Sequence, residues 1–290
     1  MILIEEEKGL VFGFIGVAIF ALTLPLTRFA LHDFDPVFLA IGRTVIAALI
    51  AGPLLIFTRQ TRPSSADLRL LAFVVAGVVF GFPILSAIAS RTVPASHGGV
   101  VLGALPLATA LMSTYFAGER PSRAFWLWGV LGSILVIAFA LGDNGVELHA
   151  GDALLALSVI AASMGYAAGG QLAKRLGGWQ VICWALVLAL PITLPLTFWM
   201  SRGLNGHEAT PSWLSFLYLG LMSQLAGFFF WNRGLALGGI ARVGQVQLLQ
   251  SSMTLVAASI ILGEHITPRA VIFAVLIAAC VWFGRKAAVR

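Results

Sequence analysis

Apolar runs about as long as a membrane is thick occupy almost the whole chain. A transmembrane helix needs roughly 20 predominantly apolar residues, and only brief polar stretches separate the runs. Charged residues make up 10% of the sequence, whereas soluble domains carry roughly 25%, so a water-facing surface could not be assembled. The sequence therefore predicts an all-α integral membrane protein with ten transmembrane helices. The helices are expected at residues 10–31, 36–57, 69–89, 96–117, 124–141, 152–172, 180–200, 213–232, 242–262 and 268–284.

The Lys and Arg residues predict the orientation of these helices. With the N-terminus in the cytoplasm, thirteen of them lie on the cytoplasmic side, and an excess of Lys and Arg in cytoplasmic loops is typical of membrane proteins. Only Arg91, Arg202 and Arg269 lie on the outer side. We therefore expect both termini in the cytoplasm, with a cytoplasmic segment at 1–8 and a basic tail at 285–290. Because the basic residues are scattered singly between apolar runs, no nucleic-acid partner is predicted.

The two halves of the chain resemble each other at an offset of about 142–145 residues. Several glycines of the first half have a glycine at this distance in the second, and Gly118-Glu119 corresponds to Gly263-Glu264. These matches predict two five-helix repeats, at 9–141 and 152–284. Since five is an odd number, the second repeat must cross the membrane in the opposite sense. Inverted repeats place a binding site near the middle of the bilayer and allow alternating access to it.

Polar side chains within the apolar runs are the candidate substrate-binding residues, because a polar group in hydrocarbon is costly unless it has a partner. Arg43 lies about seven residues into the second run. It could bind the carboxylate of a substrate, extend to the membrane surface, or join neighbouring helix ends. Thr23 and Thr27 in the first run, and Ser163 and Tyr166 in the sixth, are further candidates because these two runs are equivalent in the repeat.

The ninth run holds a group of amide side chains. Gln247, Gln250 and Ser251 share one face of a regular helix. They could hold the amino or carboxylate group of a substrate, or serve as hydrogen bonds between helices. Phe228, in an aromatic stretch at the end of the eighth run, could form an apolar wall. The sequence contains no cluster of metal ligands and no catalytic constellation, so we predict no metal, no cofactor and no enzymatic activity.

Short motifs of small and apolar residues follow a recognisable order along the chain. They are Pro36 … Arg43, Leu105-Pro106 … Gly118-Glu119, and Leu217-Tyr-Leu-Gly-Leu-Met … Phe230-Trp-Asn-Arg-Gly-Leu-Ala-Leu … Leu255 … Leu262-Gly-Glu264. In these motifs the chain resembles the EamA-type members of the drug/metabolite transporter superfamily. The resemblance implies a ten-helix inverted-repeat fold in the cell inner (plasma) membrane and export of metabolites, often amino acids. The chain departs from the family pattern in the ninth helix, where Gln250-Ser251-Ser252 stands in place of the family's usual proline.

The resemblance and the polar residues together predict a function. We expect a secondary transporter that exports small metabolites, such as amino acids, by alternating access. Its partners would be the small-molecule substrate and the lipid bilayer, and it would act as a monomer or a homodimer. Two alternatives remain: a multidrug or lipophilic-compound exporter, and a non-transporting membrane subunit or sensor. No Asp or Glu lies deep in an apolar run, which disfavours a site for lipophilic cations.

Overall fold

The computed structural model describes residues 2–93, 102–141, 150–262, 268–284, 286, 287 and 289. Within these ranges we number the helices that match the ten predicted spans from α1 to α10. The unbroken helices are α2 (Pro36–Phe57), α4 (Leu105–Ala117), α5 (Arg123–Leu141), α6 (Ala150–Leu176), α7 (Gly178–Met200) and α10 (Pro268–Gly284). The interrupted helices are α1 (Ile2–Ala21, Thr23–Ala30), α3 (Ser65–Val74, Val75–Gly81, Phe82–Ala89), α8 (Thr210–Tyr218, Leu219–Ala226, Gly227–Gly238) and α9 (Ile240–Gly244, Gln245–Gln247, Leu248–Leu262).

The predicted ten-helix, all-α membrane fold is confirmed. Among the described residues, six helices have the length and apolar composition needed to cross a membrane, and further apolar helices are shorter. Some predicted features lie outside the described residues. They are the start of the fourth span, the second Gly-Glu pair at Gly263-Glu264, and the tail residues Arg285 and Arg290.

Helices of the first half pack against helices of the second half in a symmetric pattern. The cross-half pairs include α1 with α8, α2 with α7, α3 with α6, α4 with α9, and α5 with α10. Exchanging each helix for its counterpart in the other half converts the α1–α8 pair into the α3–α6 pair. The same exchange leaves the pairs α2–α7, α4–α9 and α5–α10 unchanged. Along α3 and α6 the chains run in opposite directions, since Gly77 meets Gly165 and Gly81 meets Ala161. Successive spans cross a membrane in alternating directions, so α3 runs parallel to α1. It follows that α6 runs opposite to α1 and that the two halves are inverted.

Glycines allow the closest of these pairs to form. In the α1–α8 pair, a Cβ atom at Gly234 would lie 2.6 Å from the backbone nitrogen of Gly13. In the α3–α6 pair, a Cβ atom at Gly77 would lie 2.9 Å from the nitrogen of Gly165. Helices in lipid associate through such small-residue contacts because the surrounding acyl chains are as apolar as their side chains. The glycine stripes therefore bring the backbones of the two halves into direct contact.

A proline interrupts α1 at its centre. Pro25 has no N–H group, so it cannot satisfy the carbonyl of Ala21, four residues earlier. The Thr254 hydroxyl of α9 donates a hydrogen bond of 2.9 Å to this carbonyl. A backbone group that α1 leaves unpaired is therefore satisfied by a side chain from the other half, as the absence of water in a bilayer requires.

A wider helical turn interrupts α3 in the same way. Over Val75–Gly81 the helix is π-helical, and the N–H of Phe82 bonds to the carbonyl of Gly77. The next residue, Pro83, has no N–H, so the carbonyl of Val78 has no donor in its own helix. The side-chain amide of Gln224 on α8 donates to it over 3.0 Å.

The interruptions of α3 and α8 are equivalent in the repeat. The π-helical segment of α8, Leu219–Ala226, lies at the position of the second half that corresponds to the segment of α3. Single π-helical turns are found frequently at functional sites, because they redirect side chains and free backbone groups. In this protein the π-helical segment of α8 carries Gln224, whose side chain contacts Arg43 on α2. The π-helical segment of α3 frees the carbonyl of Val78, to which Gln224 donates.

Candidate functional site

A small cavity lies between the two halves, where the interrupted helices meet. Its volume, counted as space open to the centre of a water molecule, is about 20 Å³, which is room for one or two water molecules. Both halves line it, and the lining combines polar groups with aromatic rings. The lining residues are Phe20, Thr23, Leu24, Arg43, Val78, Phe82, Leu105, Tyr166, Ser223, Phe228 and Gln250.

Arg43 provides the positive charge of this cavity. Its side chain is buried, with 5% of its surface exposed. Its Nε and Nη2 atoms both donate to the Oε1 atom of Gln224, over 3.0 and 2.7 Å. None of the ion pairs formed by the described residues includes Arg43. A buried cation whose partner is neutral retains a strong attraction for an anion, because the surrounding protein and lipid screen charge poorly.

Aromatic rings form another part of the wall of the cavity. The rings of Phe20 and Phe228 lie 5.0 Å apart, and those of Tyr166 and Phe228 lie 5.9 Å apart. Behind them the fully buried Trp231 packs against Tyr166 at 5.4 Å between ring centroids. Tilted and edge-to-face rings at these distances form a continuous apolar surface. This wall suits the apolar part of a small molecule.

Hydroxyl and amide groups complete the polar side. The hydroxyls of Thr23 and Ser223 are hydrogen-bonded to each other over 2.8 Å and join α1 to α8. Gln250 reaches the cavity from α9. The cavity therefore presents one cation, several neutral hydrogen-bonding groups and an aromatic wall to anything that enters it. This combination can bind a small molecule that has both a charged and an apolar part.

The structure brings together five of the nine residues predicted from the sequence. These five are Thr23, Arg43, Tyr166, Phe228 and Gln250. Thr27 is buried in the second segment of α1, which packs against the first segment of α8. Ser163 is fully buried in α6, and its hydroxyl donates to the carbonyl of Ile160 over 2.9 Å.

The three polar residues predicted to share a face of α9 point to different surroundings. Gln250 lines the cavity, whereas the Oε1 atom of Gln247 accepts a hydrogen bond from Thr109 over 3.4 Å. Ser251 lies in a separate apolar groove between α5, α9 and α10. The prediction assumed a regular α-helix throughout, but the 3₁₀ turn Gln245–Gln247 changes the direction of Gln247 relative to Gln250. Ser251 follows Gln250 within the regular helix Leu248–Leu262, so its side chain points about 100° away from that of Gln250. The structure thus does not bring Gln247 and Ser251 to the cavity.

Gln224 and Ser223 were missed by the sequence analysis. They are adjacent polar residues in the otherwise apolar middle of the eighth span. The available signal was Arg43, since a cation inside a span needs a hydrogen-bonding partner. A search for such a partner among the deep amides of other spans would have included Gln224.

Contacts between the halves also join helix ends on the side of the molecule on which α1 begins. The carboxylate of Glu119, just after α4, accepts hydrogen bonds from the N–H groups of Ile240 and Ala241, over 2.8 and 2.7 Å. Arg242 of α9 forms an ion pair with Glu6 of α1. A carboxylate at a helix N-terminus satisfies free N–H groups and interacts favourably with the helix dipole. Glu119 therefore fastens α4 to α9, and together these contacts hold the ends of α1, α4 and α9.

Comparison with known proteins gives matches over nearly the whole chain. The family model described as the EamA-like transporter family matches twice, over residues 7–142 and 149–283. The uncharacterized transporter YdeK of Bacillus subtilis (strain 168) is 46% identical over 282 residues, which cover 97% of this chain and 98% of that protein. A probable terminal-alkyne amino-acid exporter of Streptantibioticus cattleyicolor is 27% identical over 264 residues, which cover 88% of this chain and 86% of that protein. A solved crystal structure superimposes with a TM-score of 0.78 over 96% of this chain and 98% of that chain, at 15% identity, and shares the fold.

Proposed function

Since the chain belongs to the EamA-like transporter family, we propose that it exports small amphipathic metabolites, with amino acids as the favoured class. The transport would proceed by alternating access, in which the two inverted halves open the central cavity to one side of the membrane and then to the other. The distant relation to a probable amino-acid exporter supports this substrate class. The small volume of the cavity supports alternating access, because a substrate could enter only when the helices around the cavity separate.

The observation that carries the proposal is the buried guanidinium of Arg43 in a cavity that aromatic rings also line. A substrate carboxylate would bind the guanidinium through charge-assisted hydrogen bonds. The apolar part of the substrate would pack on Phe20 and Phe228, and its amino group would meet neutral acceptors such as Gln250. A lipophilic cation, the substrate of the alternative exporter, would be repelled by the positive charge of Arg43. The geometry therefore favours zwitterionic or anionic substrates.

Counterflow in proteoliposomes would test this function. Vesicles that contain the purified protein and are loaded with unlabelled L-leucine are expected to accumulate labelled L-leucine from outside. Leucinamide, which has no carboxylate, and tetraphenylphosphonium, a lipophilic cation, should give no exchange above protein-free vesicles. Exchange of tetraphenylphosphonium without exchange of any amino acid would overturn the proposal in favour of a cation exporter.

We propose further that both termini lie in the cytoplasm, with the five-helix repeats at 9–141 and 152–284 between a segment at 1–8 and a tail at 285–290. A green fluorescent protein fused after Arg290 is expected to fluoresce, and alkaline phosphatase fused there is expected to be inactive, because the enzyme matures only outside the cytoplasm. Phosphatase inserted in the connection between α7 and α8 provides the matched control and should be active. Active phosphatase at the C-terminus would reverse the proposed orientation.

A further inference from the structure

We infer that Gln224 determines substrate specificity: it occupies the guanidinium of Arg43 while the cavity is empty, and a zwitterionic substrate inserts between the two side chains. The inference rests on the proposed function for the nature of the substrate. Its basis is the position of Gln224, which is fully buried and connects three helices. The Oε1 atom of Gln224 contacts Arg43 on α2, and its Nε2 atom contacts the carbonyl of Val78 on α3.

The first argument is the edge of the guanidinium that Gln224 occupies. The Nε and Nη2 atoms of Arg43 converge on a single oxygen, over 3.0 and 2.7 Å. Two neighbouring donors of a guanidinium form a planar fork that matches the two oxygens of a carboxylate. Gln224 can offer only one neutral oxygen to this fork. A carboxylate would offer two oxygens and a full negative charge, so it would be the stronger partner in a site of low polarity.

The second argument is the anchor of Gln224 on α3. The carbonyl of Val78 has no donor within its own helix, because the N–H of Phe82 bonds to the carbonyl of Gly77 and Pro83 has no N–H. An unpaired carbonyl in a bilayer is strongly unfavourable, so this bond opposes a large displacement of Gln224. When a carboxylate takes the guanidinium, Gln224 would keep its amide on Val78 and its Oε1 atom would lose its donors.

The third argument is the chemistry needed to restore both partners. Splitting the pair leaves Arg43 without an acceptor and the Oε1 atom of Gln224 without a donor. A simple carboxylate replaces only the acceptor and leaves a buried oxygen unsatisfied, which is unfavourable. A zwitterion replaces both, because its carboxylate accepts from Arg43 and its ammonium group donates to Gln224. Gln224 would therefore select amino acids over the corresponding carboxylic acids.

A binding experiment with two probes and two variants tests this inference. The probes are L-leucine and 4-methylpentanoate, which has the same carbon skeleton without the amino group, and binding is measured on the purified full-length protein in detergent. The wild-type protein is expected to bind L-leucine more tightly. Gln224→Met is expected to bind 4-methylpentanoate about tenfold more tightly than wild type does, the size expected when an unsatisfied buried oxygen is removed. Gln224→Glu, which gives Arg43 a permanent carboxylate, is expected to bind neither probe.

Melting temperature separates this role from a purely structural one. Gln224→Met also removes the hydrogen bond to Val78, and a structural role would lower the melting temperature and leave the ratio of the two affinities unchanged. The matched control is Gln180→Met. Gln180 lies at the start of α7, away from the cavity, and its side-chain amide donates to the Oε1 atom of Gln60. The control should keep the wild-type ratio.

Each remaining outcome decides one claim. An unchanged affinity ratio in Gln224→Met, or wild-type L-leucine binding in Gln224→Glu, would overturn the inference even if the wild-type protein transports amino acids. If the wild-type protein neither transports nor binds L-leucine, the proposed substrate class fails. In that case a gain of 4-methylpentanoate binding in Gln224→Met would still support the competition of Gln224 for Arg43, and no gain would overturn it.

Discussion

Replacement of Arg43 by Met is expected to reduce counterflow of L-leucine by about 100-fold or more, the size measured when one partner of a buried charge pair is removed. Met has a similar length and no charge, so the cavity would keep its shape and lose its attraction for a carboxylate. Arg43→Lys keeps the charge but loses the two adjacent donors, and it is expected to retain an intermediate rate. The rates are measured in proteoliposomes at equal protein content.

A second arginine provides the control for this experiment. Arg202 is exposed beyond the end of α7, where it lies over the ring of Phe198. Arg202→Met removes the same charge from the surface and should transport L-leucine at the wild-type rate. Wild-type transport by Arg43→Met would show that the guanidinium does not bind the substrate, and the proposed site would then be abandoned.

The second large effect is expected from a single methyl group at Gly234. In Gly234→Ala the new Cβ atom would lie 2.6 Å from the nitrogen of Gly13 and 3.0 Å from its Cα atom. Both are backbone atoms, so α1 and α8 would have to move apart along their whole contact. Overpacking of this kind is expected to lower the free energy of unfolding by about 3 kcal/mol. The melting temperature in detergent and the yield of monodisperse protein would show it.

Gly52→Ala is the matched control for this prediction. Gly52 lies within α2, and the nearest atom to its added Cβ is a side-chain carbon of Val187 at 3.8 Å, an ordinary contact. Since Ala is a better helix former than Gly, the control should melt at or slightly above the wild-type temperature. If both variants behaved alike, the close packing of α1 and α8 would not be important for stability.

The sequence predicted the helices well because each span depends on its own composition. A run of about 20 apolar residues is sufficient to specify a span, whatever its neighbours are. The bend in α1 was also accessible, since Pro25 lies in the middle of the first run. The π-helical segments were not, because Val75–Gly81 and Leu219–Ala226 carry no local signal that distinguishes them from regular helix. Their geometry depends on the partner helices.

The candidate site was predictable only in part for the same reason. Arg43, Tyr166 and Gln250 could be identified because polar groups deep in a span are few. Whether such a group reaches the cavity depends on the rotation of its helix, and the 3₁₀ turn Gln245–Gln247 altered that rotation in α9. Gln224 was missed because its importance comes from a contact with Arg43 across 181 positions of sequence. Spacing within one helix cannot reveal such a contact.

The hydrogen bonds from Thr254 and Gln224 to backbone carbonyls have a consequence for how the two halves depend on each other. Both carbonyls, of Ala21 and Val78, belong to the first half, and both donors belong to the second. A polypeptide ending after α5 would leave these two groups facing hydrocarbon, at several kcal/mol each. Such a fragment would not be a self-sufficient membrane unit, even though its sequence is repeated. Any ancestor with separate halves must have met this need through a partner chain or lacked these two interruptions.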